Sequence, residues 1–307
     1  MMTRSTAYVL GILATIILGT LLYLNLCSGC MTSGVNEVPT AKTTKSQPSK
    51  LEKQGTSYPF KLEAENLEYR VEENFNFKTA SPSLLMPISV GVKEGTARLQ
   101  EFLAENPNNL VEITGYYTAD ETNTTAFPNL GIARANSVKN HLVLNQISSS
   151  QINTLGELKN NMVPNGDVYQ GPVAFSIVEK AENEKEELIT LYKTITSDPL
   201  VLYFSTGEAS INLNTSQRQK IAAISMYLDK VPDGQCKVVG HTDNTGNRET
   251  NIGLGLERAE FAKAYLVNNG ISASKINTSS MGPDKPIAPN DTEEGRAKNR
   301  RTVVTLN

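Results

Sequence analysis

The sequence is poor in the residue types that build several common functional sites. Among 307 residues it has no Trp, three Cys and two His. Three Cys cannot form a dense disulfide framework, and two His leave little room for a His-rich metal centre. Lys and Arg (29) nearly balance Asp and Glu (32), whereas nucleic-acid binding usually brings a clustered basic excess. We therefore expect no metal, no cofactor and no nucleic-acid partner.

The apolar residues are concentrated at the N-terminal end. Residues 7–26 form a run of twenty positions without a charge, and a helix of that length spans about 30 Å of hydrocarbon. The run is longer than the apolar region of a typical cleaved signal peptide, so the sequence predicts an uncleaved membrane anchor over residues 1–30. Arg4 precedes the run and no charge follows before Glu37, which favours a cytoplasmic N-terminus with the rest of the chain outside.

A polar segment follows the anchor. Residues 31–58 are rich in Ser, Thr, Lys, Gln and Pro and have no apolar period, which predicts a disordered linker. Cys27 and Cys30 lie at the outer end of the anchor, and neither has the Leu-small-small context of a bacterial lipoprotein signal. Lipidation of one of these cysteines remains only as the alternative to an uncleaved anchor.

The rest of the chain repeats itself at a spacing of 124 to 125 residues. Laying residues 97–152 over residues 222–276 brings apolar residues, glycines and an arginine into register. The matched pairs include Gly115 with Gly240, Arg134 with Arg258, and Leu142 with Leu266. Two copies of one fold are therefore predicted at residues 59–181 and 199–307. The connector at residues 182–198 carries a charged run that favours a solvated helix or linker.

Strand and helix patterns alternate within the second copy. Residues 199–204 and 236–241 are short apolar runs typical of strands. Residues 221–228 carry apolar side chains at helical spacing behind Asn214, Thr215 and Ser216, which are possible N-caps, and Gly270 can end a second helix. The alternation predicts an α/β fold, an α+β sandwich that contains βαβ units, and the first copy has the same order.

Two opposite charges mark one edge of the predicted sheet in the second copy. Asp243 follows a strand, and Arg258 lies fifteen residues further on, near the start of the next helix. Such a pair suits a small zwitterion, because Asp accepts hydrogen bonds from an ammonium group and the Arg fork binds a carboxylate. An internal salt bridge between the two residues is the alternative.

Four motifs of the second copy occur together and in order. They are GHTD at 240–243, N-x-x-L-x-x-x-R-A-x(6)-L at 251–266, MGPDKPIA at 281–288 and EGRAKNRR at 294–301. With these motifs the second copy resembles the C-terminal peptidoglycan-binding domain of the outer-membrane protein A (OmpA-like) family. That domain also occurs in peptidoglycan-associated lipoproteins and flagellar motor stators. The resemblance implies a β/α sandwich whose ligand is the diaminopimelate of the cell-wall stem peptide.

The resemblance also implies roles for particular residues. Asp243 should bind the ammonium group of the ligand, and Arg258 its carboxylate. The other residues implied in ligand binding are Thr242, Asn251, Arg300 and Gly207, the last in the loop after the first strand. The sequence departs from the family at Gly255, where Ser is usual, and at Ala262, where Val is usual. We expect these departures to affect helix packing rather than ligand chemistry.

The first copy is a degenerate version of the same module. Arg134 is present, but Tyr-Tyr-Thr at 116–118 replaces His-Thr-Asp, and Phe127 stands where Asn is expected. Asp120 is a candidate for a displaced acid, although it would need a rearranged loop. We predict a structural or partner-binding role for this copy, with residual ligand binding as the alternative.

Together, the anchor and the resemblance predict a non-enzymatic protein of the bacterial cell envelope that tethers a membrane to peptidoglycan. The single-pass anchor favours the inner membrane with periplasmic domains, and an outer-membrane lipoprotein is the alternative. A second hypothesis is a stator-like or scaffold subunit whose first copy recruits a protein partner. A peptidoglycan hydrolase is disfavoured because His241 has no recognised nucleophile motif around it.

Overall fold

A computed structural model describes residues 55–204 and 212–307. The predicted anchor, Cys27, Cys30 and Gly207 lie outside the described residues, as does the linker up to residue 54. Within these two described ranges, no helix combines the length and apolar character needed to cross a membrane. The described residues belong to one compact unit that mixes strands and helices.

Strands and helices alternate along most of the chain. The strands are β1 (Phe60–Ala64), β2 (Leu67–Val71), β3 (Phe77–Lys78), β4 (Asn109–Tyr117), β5 (Ile152–Leu158), β6 (Val168–Tyr169), β7 (Val173–Glu179), β8 (Leu200–Tyr203), β9 (Cys236–His241), β10 (Ile276–Gly282) and β11 (Arg301–Leu306). The helices are α1 (Val90–Glu105), α2 (Leu130–Leu144), α3 (Glu184–Ser197), α4 (Thr215–Lys230), α5 (Arg248–Asn268) and α6 (Glu293–Asn299). The mixed α/β class predicted from the sequence is confirmed.

The second half, residues 199–307, contains a four-stranded sheet in the order β10-β9-β11-β8. Strand β9 is parallel to β10 and antiparallel to β11, which in turn is antiparallel to β8. Because parallel neighbours need a crossover, α5 connects β9 to β10 as a βαβ unit. One face of the sheet packs against α4 and α5 through fully buried apolar side chains. They include Leu200, Val238 and Val304 from the sheet and Ile221, Ile224, Ala259, Ala262 and Leu266 from the helices.

The first half, residues 59–181, contains a three-stranded sheet in the order β5-β4-β7. Strand β4 is parallel to β5, which follows it through α2, and antiparallel to β7. These are the same neighbour relations as those of β10, β9 and β11. Strand β1 pairs with β2 in a separate two-stranded sheet.

The helix ends follow local sequence signals. Asn214 caps α4 with its side chain on the Gln217 amide, and the Gln217 side chain accepts from the Asn214 amide in return. Gly270 follows the end of α5 with a φ of +94°, a conformation that favours glycine. Asn214 is one of the three caps considered from the sequence, and the helix end predicted at Gly270 is confirmed.

Paired glycines let a strand and a helix approach closely in each half. A Cβ atom on Gly240 would lie 1.7 Å from the Gly255 carbonyl oxygen, and one on Gly115 would lie 2.0 Å from the Gly131 carbonyl oxygen. A Cβ atom on Gly255 would also lie 2.3 Å from the Ser280 hydroxyl oxygen. The glycine that departs from the family pattern at position 255 therefore lies at a helix–strand packing contact.

Two segments predicted as linkers are partly built into the fold. Within the predicted linker 31–58, the amides of Thr56 and Tyr58 donate to the carbonyls of Val163 and Gln170 at 2.7 and 3.2 Å. In the connector at residues 182–198, α3 buries Ile195 in the core of the second half. Composition did not reveal these contacts, because backbone hydrogen bonds and a single buried side chain leave little trace in it.

Polar contacts join the two halves. The Lys139 ammonium, 2% exposed, lies 2.6 Å from the Asp229 carboxylate. The Ser149 hydroxyl donates to the Asp229 carbonyl at 2.9 Å, and the Ala126 amide donates to the Asn269 side chain at 2.8 Å. Since a buried ammonium group needs a partner, Asp229 fixes α4 against the first half.

Candidate ligand-binding site

The turn after β9 is held in place by its own polar groups. The Thr242 amide donates to the Gly282 carbonyl at 2.9 Å, which extends the contact between β9 and β10 beyond the strands. The Thr242 hydroxyl is buried and donates to the Asp243 carbonyl at 2.8 Å. Thr242 therefore shapes the turn, and its side chain is used within it.

Asp243 is 9% exposed and lies between two donors. One carboxylate oxygen accepts from the Thr245 amide and the other from Arg300 Nη1, both at 2.9 Å. Burial alone would raise the pKa of Asp243, but the hydrogen bonds from Thr245 and Arg300 outweigh it and hold the pKa below its ordinary value. Asp243 is therefore a charged acceptor at neutral pH.

Arg300, the residue before β11, connects two carboxylates. Besides Asp243, it binds Glu293 on α6, with 2.7 Å between Arg300 Nη2 and Glu293 Oε1. Its Nε is buried and has no hydrogen-bond partner among the described residues. The structure thus brings Arg300 to the site and pairs it with Asp243.

Asn251 ties the turn to helix α5. Its buried side chain donates from Nδ2 to the Thr245 carbonyl at 2.9 Å. The Asn247 side chain caps the helix by accepting from the amides of Glu249 and Thr250. These contacts set where the turn carries Asp243.

Arg258 is half-buried on α5 and faces the end of β9. Its Nη1 donates to the His241 carbonyl at 3.2 Å, and its guanidinium carbon lies 6.0 Å from the centre of the Phe204 ring. Burial lowers the pKa of Arg258, and the Arg300 charge adds to this, while Asp243 opposes it. No carboxylate of the described residues lies within 4.0 Å of Arg258, so the alternative of an Asp243–Arg258 salt bridge is wrong.

The corresponding arginine of the first half has a different environment. Arg134 is 0% exposed, and its guanidinium binds both carboxylate oxygens of Glu121, at 3.1 and 2.5 Å. Asp120, the displaced acid considered from the sequence, is exposed. The acid at this site is therefore Glu121, because the turn after β4 directs that residue inward.

Sequence reasoning missed three parts of the site in the second half. Phe204 lies beside Arg258, Thr245 donates its amide to Asp243, and Glu293 binds Arg300. Glu293 precedes Arg300 by seven residues, about two helical turns, and this spacing was the available signal. The path of the turn through Thr245 had no comparable signal.

These elements define an α/β domain with a mixed-charge site where the parallel strands end. Residues 203–300 match the OmpA family, and this segment is an OmpA-like domain. The chain is 36% identical over 137 residues to the outer membrane protein Omp38 of Acinetobacter baumannii, covering 43% of this chain and 38% of that protein. It is 30% identical over 151 residues to the peptidoglycan-binding protein ArfA of Mycobacterium tuberculosis, covering 49% and 43%.

Among solved structures, the peptidoglycan-associated lipoprotein from Burkholderia pseudomallei aligns with 28% identity and a TM-score of 0.30. The alignment covers 35% of this chain and 89% of that one. The chain spans less than half the length of Omp38 and ArfA.

Proposed function

We propose that residues 199–307 bind peptidoglycan noncovalently through the diaminopimelate of its stem peptide. In this proposal Arg258 binds the carboxylate of the ligand and Asp243 binds its ammonium group. The observation that carries the proposal is the Arg258 guanidinium, whose only hydrogen bond among the described residues is the one to the His241 carbonyl. The OmpA-like domain at residues 203–300 and the similarity to a peptidoglycan-binding protein support it.

Asp243 can accept an ammonium group while it is bound to Arg300. A carboxylate has about four acceptor positions, and the Thr245 amide and Arg300 use two of them. The lowered pKa keeps this carboxylate charged at neutral pH. A diaminopimelate end group placed between Asp243 and Arg258 would give each charge an opposite partner.

At the level of the whole chain, we propose a non-enzymatic tether of the cell envelope. Residues 7–26 would anchor it in a membrane, with the inner membrane favoured, and the following segment would let the folded part reach the cell wall. Arg300 would help to bind the peptide carboxylates, and Gly207 would line the same pocket.

Co-sedimentation with purified diaminopimelate-type sacculi tests the proposal. The full-length wild-type chain should sediment with the sacculi, and free diaminopimelate should release it. Sedimentation that diaminopimelate does not affect would contradict the assignment of the ligand, and no sedimentation at all would contradict cell-wall binding.

A groove of about 1010 Å³ beside the first sheet favours a second function, the recruitment of a protein partner. It lies between the first sheet, α3 and α4, and Leu155 and Met226, about half exposed, line it. Its other lining residues include the carboxylates Glu112, Glu179, Glu186 and Glu187, whereas Asp229 and Glu184 in the same lining pair with Lys139 and Lys230. This lining suits a protein segment that carries apolar side chains flanked by Lys or Arg.

Charge reversal tests the second function. The wild-type chain and the double variant Glu186→Lys/Glu187→Lys would be cross-linked in envelope extracts. The proposal expects one basic partner that wild type captures and the variant loses, while both still bind sacculi. Equal capture by the two chains would refute the groove as its binding site.

A further inference from the structure

We propose that the first half keeps a carboxylate-binding site around Arg134 and that Glu121 of the same chain is its ligand. The inference deepens the proposed function, because it compares Glu121 with the ligand carboxylate that Arg258 would bind. It also bears on how many of the two arginine sites can bind an external carboxylate. If Glu121 occupies the site at Arg134, only the site at Arg258 can do so.

The two arginines are placed in the same way. Arg134 lies on the helix that follows β4 and Arg258 on the helix that follows β9, and each donates from Nη1 to a carbonyl at the end of that strand. The Tyr116 carbonyl oxygen lies 2.8 Å from Arg134 Nη1, and the His241 carbonyl oxygen lies 3.2 Å from Arg258 Nη1. Each guanidinium also lies beside aromatic rings. Their centres are 5.6 Å (Phe77) and 5.3 Å (Tyr169) from Arg134 and 6.0 Å (Phe204) from Arg258.

The difference between the sites is the carboxylate. Glu121, with its side chain 1% exposed, binds Arg134 through both oxygens, the paired geometry in which arginine binds carboxylates generally. The backbone amides of Ala80 and Thr118 also donate to this carboxylate, at 2.9 and 3.1 Å. Four donors therefore surround Glu121 as they would a bound ligand.

The neighbouring sequence fits an internal ligand. Thr118 stands 125 residues before Asp243, at the matching place in the turn after the middle strand. A second carboxylate at this position would repel Glu121, whereas the Thr118 side chain carries no charge. Ala80 has a φ of +54°, which is unusual for a residue with a side chain, and its amide points at the same carboxylate. The site is thus built around the Glu121 carboxylate.

Chemical rescue tests the inference in the full-length chain. Glu121→Ala removes the internal carboxylate and leaves space for acetate next to Arg134. Urea unfolding would be followed in sodium acetate and in sodium chloride of equal ionic strength. At ten times its dissociation constant, acetate should raise the folded-to-unfolded ratio of Glu121→Ala about elevenfold over chloride.

Two controls isolate Arg134. The wild type measures the stabilisation that comes from acetate bound elsewhere, including at Arg258. In Glu121→Gln the glutamine side chain still occupies the space next to Arg134. Acetate should stabilise neither of these proteins as much as it stabilises Glu121→Ala. If Glu121→Ala does not fold in chloride, refolding that succeeds only in acetate supports the inference. No acetate-specific gain in either stability or refolding overturns it.

The outcome is separable from that of the proposed function. Acetate rescue depends on Arg134, whereas sacculus binding depends on Asp243 and Arg258. Rescue without sacculus binding would leave the internal carboxylate site standing and refute only the peptidoglycan proposal. Sacculus binding without rescue would refute the internal carboxylate site and leave the peptidoglycan proposal standing.

Discussion

The glycine contact between β9 and α5 gives a sharp stability prediction. In Gly240→Ala, the new Cβ atom would lie 1.7 Å from the Gly255 carbonyl oxygen and 2.5 Å from its carbonyl carbon. Both are backbone atoms, so no side-chain rotation can relieve the clash, and α5 must move away from the sheet. Overpacking usually costs about 1–3 kcal/mol, and the rigid neighbour places this substitution at about 3 kcal/mol or more.

Gly253→Ala, on the facing helix α5, is the control for Gly240→Ala. A Cβ atom at Gly253 meets nothing within 4 Å, and alanine is the better helix former. This variant should therefore be about 0.5–1 kcal/mol more stable than the wild type.

Urea unfolding at 25 °C, followed by far-UV circular dichroism, measures both changes. With a slope of about 3 kcal/mol per molar urea, Gly240→Ala should lower the midpoint by about 1 M. Gly253→Ala should raise it slightly. A Gly240→Ala protein as stable as the wild type would refute the close approach of β9 and α5.

Two further predictions concern buried charge. Burial lowers the pKa of His241 to about 4, so below pH 6.5 the unfolded state binds a proton that the native state does not. Between pH 7 and pH 5 His241 should cost about 2 kcal/mol of unfolding free energy, and the same fall in His241→Gln would contradict this. Glu121→Ala strands the buried Arg134 and should cost about 3–5 kcal/mol in urea unfolding. Asp120→Ala should stay within about 0.5 kcal/mol, and equal losses in the two variants would refute the assignment of the acid.

Much of the second half could be predicted from the sequence because its signals are local. The strand predicted at residues 236–241 coincides with β9, and the one predicted at residues 199–204 contains β8. Asn214, one of the three possible caps, is the residue that caps α4, because a capping side chain acts within three residues. Where a signal depends only on near neighbours, sequence spacing is enough.

The site was only partly predictable because its contacts join distant segments. Asp243 and Arg258 lie at the same end of the sheet, but Asp243 pairs with Arg300, 57 residues away. In the first half, the acid that binds Arg134 is Glu121, one position after the Asp120 considered from the sequence. Adjacent residues of a turn point in different directions, and only the path of the backbone decides which of them reaches Arg134.

The affinity of the full-length chain for diaminopimelate-type sacculi tests the central claim most directly. Arg258→Ala and Asp243→Ala each remove one charged partner of the ligand. Each should weaken binding by about 2–5 kcal/mol, at least about thirtyfold. Arg98→Ala removes an exposed positive charge from the first half and should bind as the wild type does. Wild-type affinity in both site variants would contradict the account.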